Sequence, residues 1–551
     1  MSGDSMHIQY NAAIPMSDGT VLSAAICRPD NSGTFPTMLI RTCYTKWSRP
    51  LRERAAAWVA AGYVFIIQDV RGRGDSDGRF YPLIHERGDG NETIDWIARQ
   101  PWSDGSVVMT GGSYAGWTQL YPACDSHPAL KTVAATTTPP DPDRSFPRDN
   151  GMLSPAAAAW LASLDGHTNQ NIDEADIAGA FEKRPIVDFD QHIGRHLTAW
   201  RDWTKHPPGS AYWREQSYQK LLLSSTVPML HISGWYDDCL AGATENFAAM
   251  STRAIDPDTR TRQRLVVGPW MHNTIGKRHS GSTDYGETAE IDMGEFQRNW
   301  FDAILRGEED ESAPVRLFVM GRNEWIEEQS WPIARTLYVP YYLHSNGHAN
   351  SRLGDGILST EPPAGEPPDS FEYNPSNPIP YAANFDWMQV GGPDDFAEIE
   401  LRRDLLVYTS APLTEPLLIC GPLMVKLFAA TSAPDTDWTA KVLDVHPDGR
   451  AIRLNDGAVR ARFRHGGPEE HFLTPGKVEE YQIDCWSTCI EIPVGHCLRV
   501  EIASSAFGKI DVNLNGGGPI GQETVAHVAM QTVFHDRLQA SHLLLPVVEN
   551  R

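Results

Sequence analysis

A series of short, predominantly apolar runs recurs through the first part of this chain: Thr37 to Ile40, Tyr63 to Asp69, Val107 to Gly111, Lys131 to Thr138, Pro228 to Trp235 and Arg264 to Trp270. A strand with no polar face has to be covered on both sides, and the usual solution is a parallel sheet sandwiched by helices. Helical stretches fall between several of these runs: Leu51 to Ala61, which Gly62 ends, and Asn91 to Arg99. Phe296 to Leu305, stopped by Gly307, follows them. His7 to Ala12 and Thr20 to Ala25 read as a hairpin turning at Asp18-Gly19. The alternation predicts an α/β fold with a mostly parallel sheet. In such sheets the sites lie beyond the carboxyl ends of the strands. The loops after Ile40, Gly111, Trp235 and Trp270 are therefore the places to look for chemistry.

Two regions break the pattern. Between about Pro139 and Leu222 there are alanine-rich helical pieces, Pro155 to Ser163 and Ile177 to Phe181, and four tryptophans, Trp160, Trp200, Trp203 and Trp213. An insertion at the carboxyl edge of the sheet is where a helical lid belongs, and its tryptophans either line a pocket or pack the lid. Asn350 to Tyr381 is rich in Pro, Gly and Ser and reads as an irregular linker or surface crossing. Many short alternating runs follow, from Leu405 to Val547, the spacing of an all-β sandwich or jelly roll. With 551 residues the chain exceeds one ordinary domain. The expected division is 1–140 with 223–335 for the α/β domain, 141–222 for the lid and 336–551 for the β domain.

A formal net charge of −24 argues against nucleic acid or an anionic membrane as partner. No apolar run is long enough to span a bilayer, and Met1 to Tyr10 lacks the basic-then-apolar order of a signal peptide. The eight cysteines are too sparse for a disulfide framework, and Cys485 and Cys489 alone are a weak zinc signal. Reduced thiols in a cytoplasm are the expectation.

The chemistry starts at Val107 to Trp117, where an apolar strand runs into Gly111-Gly112-Ser113-Tyr114-Ala115-Gly116 and then a helix. A serine on such a corner stands at a helix N-terminus, where free N–H groups favour developing negative charge. Serine needs a base, and the base needs an orienting group. The next two sheet-edge loops supply Asp237, in Trp235-Tyr236-Asp237-Asp238, and His272, in Met271-His272-Asn273. The order Ser, Asp, His is that of an α/β-hydrolase. Asp238 competes with Asp237, since only one is expected to face the imidazole, and His279 lies further along the same loop.

These residues resemble the CocE/NonD family of serine hydrolases, which includes bacterial cocaine esterase, the X-prolyl dipeptidyl-peptidases and the α-amino-acid ester hydrolases. The likeness is carried by Gly111 to Gly116, Gly234-Trp235-Tyr236-Asp237 and Gly268-Pro269-Trp270-Met271-His272. It extends through Gln68 to Gly74, Gln100 to Gly105, Thr436 to Lys441 and Pro447 to Ala451. The resemblance implies an α/β-hydrolase domain with an inserted helical cap and a C-terminal jelly roll, no metal and no organic cofactor. It suggests a homodimer. It also implies an oxyanion hole made by the Tyr114 backbone N–H and the Tyr44 hydroxyl. Arg71 to Gly78 and Asn515 to Pro519 are read as structured loops, the second lying against the catalytic domain.

The expected activity is hydrolysis of a small-molecule ester or amide through acyl-Ser113. Acyl transfer to an amine or alcohol would use the same intermediate. A peptidase or amino-acid ester hydrolase would need a carboxylate for the substrate ammonium, for which Asp141, Asp143, Asp149 and Asp238 are candidates. Cys239 is placed to line an acyl pocket.

Overall fold

The apolar runs pair with one another. In the computed structural model, which describes residues 6–29, 32–308, 312–381 and 391–549, ten strands share one sheet. They are β1 (Met6–Pro15), β2 (Val21–Pro29), β3 (Phe35–Thr42), β4 (Val64–Asp69) and β5 (Ser103–Gly112), then β6 (Leu130–Thr136), β7 (Met229–Gly234), β8 (Gln263–Gly268), β9 (Val315–Val319) and β10 (Glu324–Glu328). Their order across the sheet is β1-β2-β4-β3-β5-β6-β7-β8-β9-β10. β3 to β9 run parallel, while β1, β2 and β10 pair antiparallel at the two edges. Every residue of β4 and β7 is buried, the polar Gln68, Asp69, His231 and Ser233 included. The first hairpin turns where Asp-Gly stands: Gly19 has φ +87°, and Met16 N–H donates to Thr20 C=O.

Helix α1 (Leu51–Ala60) buries Leu51, Ala55, Trp58 and Val59, one face at helical spacing. Helix α2 (Glu86–Ala98) begins five residues before the sequence boundary at Asn91. Its first turn is anchored by buried acids: Arg41 binds Glu86 and Arg71 binds Asp89. Apolar periodicity is blind to a helix start held by ion pairs. Helix α3 (Tyr114–Ala123) is buried along its whole length.

The insertion between β6 and β7 is a set of short helices led by α4 (Pro155–Ser163), which Ser154 caps by accepting from Ala157 N–H. Trp200, Trp203 and Trp213 are fully buried there and pack the insertion. Arg73, in the expected Arg71–Gly78 loop, clasps it to the sheet domain, donating to the carbonyls of Cys43, Leu164 and Gly166 and to Asn169.

The rest is an all-β domain built on an eleven-stranded sheet. The linker expected at Asn350 to Tyr381 is corrected: Ile357–Ser359 and Asp369–Tyr373 are strands of this sheet. In Asp369-Ser-Phe-Glu-Tyr373 alternate residues point inward, and the buried Asp369 accepts from Ser345, Tyr408 and Ala349 N–H. An aspartate on the inner face hid the period-two pattern. The expectation of reduced thiols throughout is corrected as well. Cys420 and Cys489 form a disulfide, standing opposite each other in the antiparallel pairing of Leu417–Thr431 with Glu479–Ile492. The other six cysteines are free.

The two domains share one core. Trp235, Leu240 and Phe247 belong to the same buried cluster as Trp438, Cys485 and Ile490. Arg453 of the β domain stacks 5.9 Å from the Tyr236 ring, so the loop that carries Asp237 is braced from the β side. The glycine loop Asn515 to Pro519 packs on its own domain, with Gly517 against Pro434 and Phe472. Just beyond it Gly521 C=O accepts from Val187 N–H of the helical insertion. Among the described residues no helix is long and apolar enough to cross a membrane.

Candidate active site

The corner between β5 and α3 is strained. Ser113 has φ +59° and ψ −125°, a conformation that side chains other than glycine rarely adopt and that costs on the order of 1–3 kcal/mol. The surroundings hold it there. Ser113 N–H donates to Thr136 C=O at 3.0 Å and to Thr137 Oγ1 at 3.1 Å, and Ser113 C=O accepts from Gly116 N–H at 2.8 Å. Gly116 is fixed by space, since a Cβ there would stand 1.7 Å from Thr138 Oγ1. The glycine that matters thus falls at 116, and Ala115 fills the position before it.

His272 follows β8 and Asp237 follows β7, on neighbouring parallel strands. Asp237 Oδ1 lies 2.8 Å from His272 Nδ1. The same carboxylate accepts from Cys239 N–H at 3.0 Å and from Ser233 Oγ, so it is buried with its lone pairs used. The expectation that only one acid faces the imidazole is corrected: Asp238 Oδ1 is 3.2 Å from the same Nδ1. The three groups titrate as a unit. Burial lowers the imidazole's proton affinity, but the two carboxylates outweigh it and hold His272 well above the usual histidine range. Burial raises the Asp237 carboxyl. His279 stands apart, exposed and 3.6 Å from Asp284.

Tyr44 follows β3. Its hydroxyl lies 3.4 Å from Ser113 Oγ, within reach but longer than the roughly 2.5–3.0 Å of a formed O–H···O bond. Burial pushes the phenol pKa upward, so it stays protonated and remains a donor. Trp160 of α4 donates its indole N–H to the Tyr44 oxygen at 3.1 Å, which leaves the phenol proton free to point elsewhere. Of the four lid tryptophans this is the one that reaches the site. Ser113, Tyr44 and His272 share a cavity of about 230 Å³ with Trp117, Phe146, Trp160, Asp238 and Cys239.

Tyr114 contributes in two ways. Its backbone N–H is the first of helix α3, directly after Ser113. Its hydroxyl, fully buried, donates to Glu86 Oε1 at 2.7 Å and accepts from Leu83 N–H at 3.0 Å, while Arg41 holds the other Glu86 oxygen at 2.8 Å. The sequence reading had no sign of this Arg41–Glu86–Tyr114 bracket. Its members are a polar residue near the end of a strand and the first residues of two helices, far apart in the chain.

Asp141 and Asp143 are spent on structure. Asp141 accepts from Ser217 and from the Tyr218 and Gln219 N–H groups, and Asp143 accepts from Gly209 N–H. Asp149 is buried, and burial pushes its carboxyl up to about 7. None of the three lines the cavity, whereas Asp238 does. Possible ligating atoms of Asp237, Asp238, Cys239 and His272 lie within 4.8 Å of one another, and His272 Nδ1 faces both carboxylates. The arrangement offers a hydroxyl on a strained corner, an imidazole backed by carboxylates, a helix N-terminus and a neutral phenol. It can attack a carbonyl and hold the resulting oxyanion.

Residues 18–274 match the model of the X-Pro dipeptidyl-peptidase (S15 family), and residues 308–544 match the X-Pro dipeptidyl-peptidase C-terminal non-catalytic domain. The chain is 34% identical to the cocaine esterase of Rhodococcus sp., with 98% of this chain and 99% of that protein covered. Among solved structures, an α-amino-acid ester hydrolase superposes with a TM-score of 0.88 at 25% identity, covering 99% of this chain and 97% of that one. An aminopeptidase from a marine sediment Thaumarchaeota archaeon gives 0.86 at 25% identity, covering 99% and 96%.

Proposed function

The chain belongs to the X-Pro dipeptidyl-peptidase (S15) family of serine hydrolases, and from that premise we propose that it cleaves carboxylic esters with an uncharged, apolar acyl group through an acyl-Ser113 intermediate. Ser113 Oγ attacks the carbonyl as His272 takes its proton. Asp237 fixes the Nδ1–H tautomer that leaves Nε2 free to act as base, and both carboxylates stabilise the imidazolium. The oxyanion is received by Tyr114 N–H and the Tyr44 hydroxyl, donors that gain strength as charge develops. His272 then protonates the leaving alkoxide, and a water attacks the acyl-enzyme by the same route in reverse. In this reading 1–140 with 223–335 forms the catalytic domain, 141–222 the cap and 336–551 the β domain.

One observation carries the preference for an uncharged acyl group. The cavity wall is largely aromatic, and its one carboxylate among the described residues, Asp238, is committed to His272. A free α-ammonium would have to compete with the imidazole for that charge. Ser113→Ala should abolish both p-nitrophenyl ester turnover and labelling by a fluorophosphonate; retention of either overturns the mechanism. For the acyl group, an N-acylated amino-acid ester should be turned over faster than its free-amine form, and the reverse order overturns that part. Added amine that diverts the acyl group into amide would point to acyl transfer. The homodimer implied by the family resemblance would scatter light as twice the 61.2 kDa chain.

A further inference from the structure

Away from the serine, two turns of the β domain bring a second set of titratable groups together. Asp444 stands near the end of strand Asp437–Val445, and His446 opens the hairpin that leads into strand Ala451–Arg460. His496 stands immediately before strand Cys497–Ala503, whose Leu498 is the register partner of Asp444. Residues distant in sequence therefore meet because one strand pairs with both neighbours. Asp444 Oδ1 is 2.8 Å from His496 Nδ1, and Asp444 Oδ2 is 3.4 Å from His446 Nε2. The two imidazole centroids are 4.4 Å apart. One carboxylate is thus flanked by two imidazoles, and one ligand atom from each residue lies within 4.8 Å of the others.

We propose that Asp444, His446 and His496 form a binding site for a divalent transition-metal cation, zinc in particular, with a fourth position left to water. The donor set is two imidazoles and a carboxylate, which suits zinc. Zinc bonds of about 2.0–2.2 Å in a tetrahedron hold neighbouring donor atoms roughly 3.3 Å apart, and the spacings from the two Asp444 oxygens, 2.8 Å from Oδ1 to His496 and 3.4 Å from Oδ2 to His446, lie on either side of that value. Both histidines are held by their backbones. His446 N–H donates to Arg450 C=O and its own C=O accepts from Gly449 N–H, while His496 C=O accepts from Leu413 N–H. The side chains of His446 and His496 are 25% and 14% exposed, so an ion can enter while the carboxylate stays sheltered.

One charged neighbour opposes the cation. Arg450 Nη2 lies 3.3 Å from His446 Nδ1, with its Nε bonded to Asp448. An ion on Nε2 leaves the proton on Nδ1, so this contact must open on binding. Arg450 is exposed enough to swing out. Removing it should therefore tighten the site, an effect that a purely structural His–Asp–His hydrogen-bond chain does not anticipate.

Neither histidine lines the cavity of Ser113, so the inference stands apart from the catalytic reading. The test uses the full chain stripped with a chelator, then titrated with zinc by equilibrium dialysis and with cobalt by visible absorption. His272→Ala is run in parallel, because it removes the imidazole of the other cluster that could take an ion. Wild type and His272→Ala should both bind zinc at this site, with tetrahedral cobalt bands. His446→Ala/His496→Ala and Asp444→Asn should lose one ion per chain. The milder His446→Gln should weaken binding by more than the roughly 10–100-fold that loss of an outer partner costs. Arg450→Ala should bind more tightly. Near-ultraviolet circular dichroism and ester turnover of His446→Gln, both unchanged, show that the chain is folded. Equal zinc affinity and stoichiometry in wild type and the double histidine variant overturn the proposal, as does the absence of any bound ion in wild type.

Discussion

Removing the Tyr44 hydroxyl probes the candidate site where the helical insertion meets the sheet domain. In Tyr44→Phe the ring still fills its place, but in the proposed mechanism the oxyanion keeps only the Tyr114 N–H. Loss of one such donor costs about 2.7–4 kcal/mol of barrier, a fall in kcat of about 10²–10³. KM should change little, because the phenol is 3.4 Å from Ser113 Oγ and gains its close contact only as charge develops. Trp160 adds a second arm. Its N–H holds the Tyr44 oxygen at 3.1 Å and orients the phenol proton. Trp160→Phe removes one neutral hydrogen bond, worth about 1 kcal/mol or roughly fivefold in kcat. If Trp160 acts through Tyr44, the effects are not additive: Tyr44→Phe/Trp160→Phe should be no slower than Tyr44→Phe alone. The assay is steady-state turnover of one p-nitrophenyl ester by all four proteins, with melting temperatures to confirm folding. A Tyr44→Phe enzyme within threefold of wild type refutes the assigned donor. A double variant that multiplies the two losses refutes the link through the indole.

Asp237→Asn should cost about 10² in kcat rather than the roughly 10⁴ of a triad left without its acid, because Asp238 still faces Nδ1 at 3.2 Å; the double Asn variant should recover the larger loss. Asp238→Asn removes one of the two charges that raise the His272 pKa. The rise of kcat/KM with pH, which follows loss of the imidazole proton, should therefore shift to lower pH in a pH–rate profile. Gly116→Ala forces a Cβ to within 1.7 Å of Thr138 Oγ1 and should destabilise the chain by at least about 3 kcal/mol in urea unfolding, with loss of fluorophosphonate labelling as the corner moves. Asp149 is held at about 7 in the folded chain against 3.8 for an ordinary carboxyl, so the folded state binds the extra proton and loses stability as pH rises from about 4 to 7. Asp149→Asn should be nearly neutral at pH 4 and more stable than wild type by up to about 4 kcal/mol at pH 8, read by urea unfolding at both pH values.

The sheet was legible because a strand covered on both faces must be predominantly apolar, and β4 and β7 open with apolar runs before their buried polar residues. The Pro155 to Ser163 helix was equally plain, with its serine cap and proline start. Elements held by polar contacts were not. The first turn of α2 rests on Arg41–Glu86 and Arg71–Asp89, and the strand Asp369–Tyr373 turns an aspartate inward. Hydropathy patterns register neither.

At the candidate site, residue type and chain order by themselves selected Ser113, Asp237 and His272, because parallel strands deliver successive loops to one edge. The need for small residues around a strained corner is likewise written locally, at Gly111, Ala115 and Gly116. Contacts between residues far apart in the chain were decided by tertiary structure alone. They include the second carboxylate on His272, the indole N–H on Tyr44, the Arg41–Glu86–Tyr114 bracket and the Cys420–Cys489 disulfide. The reason is physical. Local patterns report what a segment must bury, whereas a hydrogen bond or a disulfide depends on which distant atom the folded backbone brings to within about 3 Å, and that distance is a property of packing.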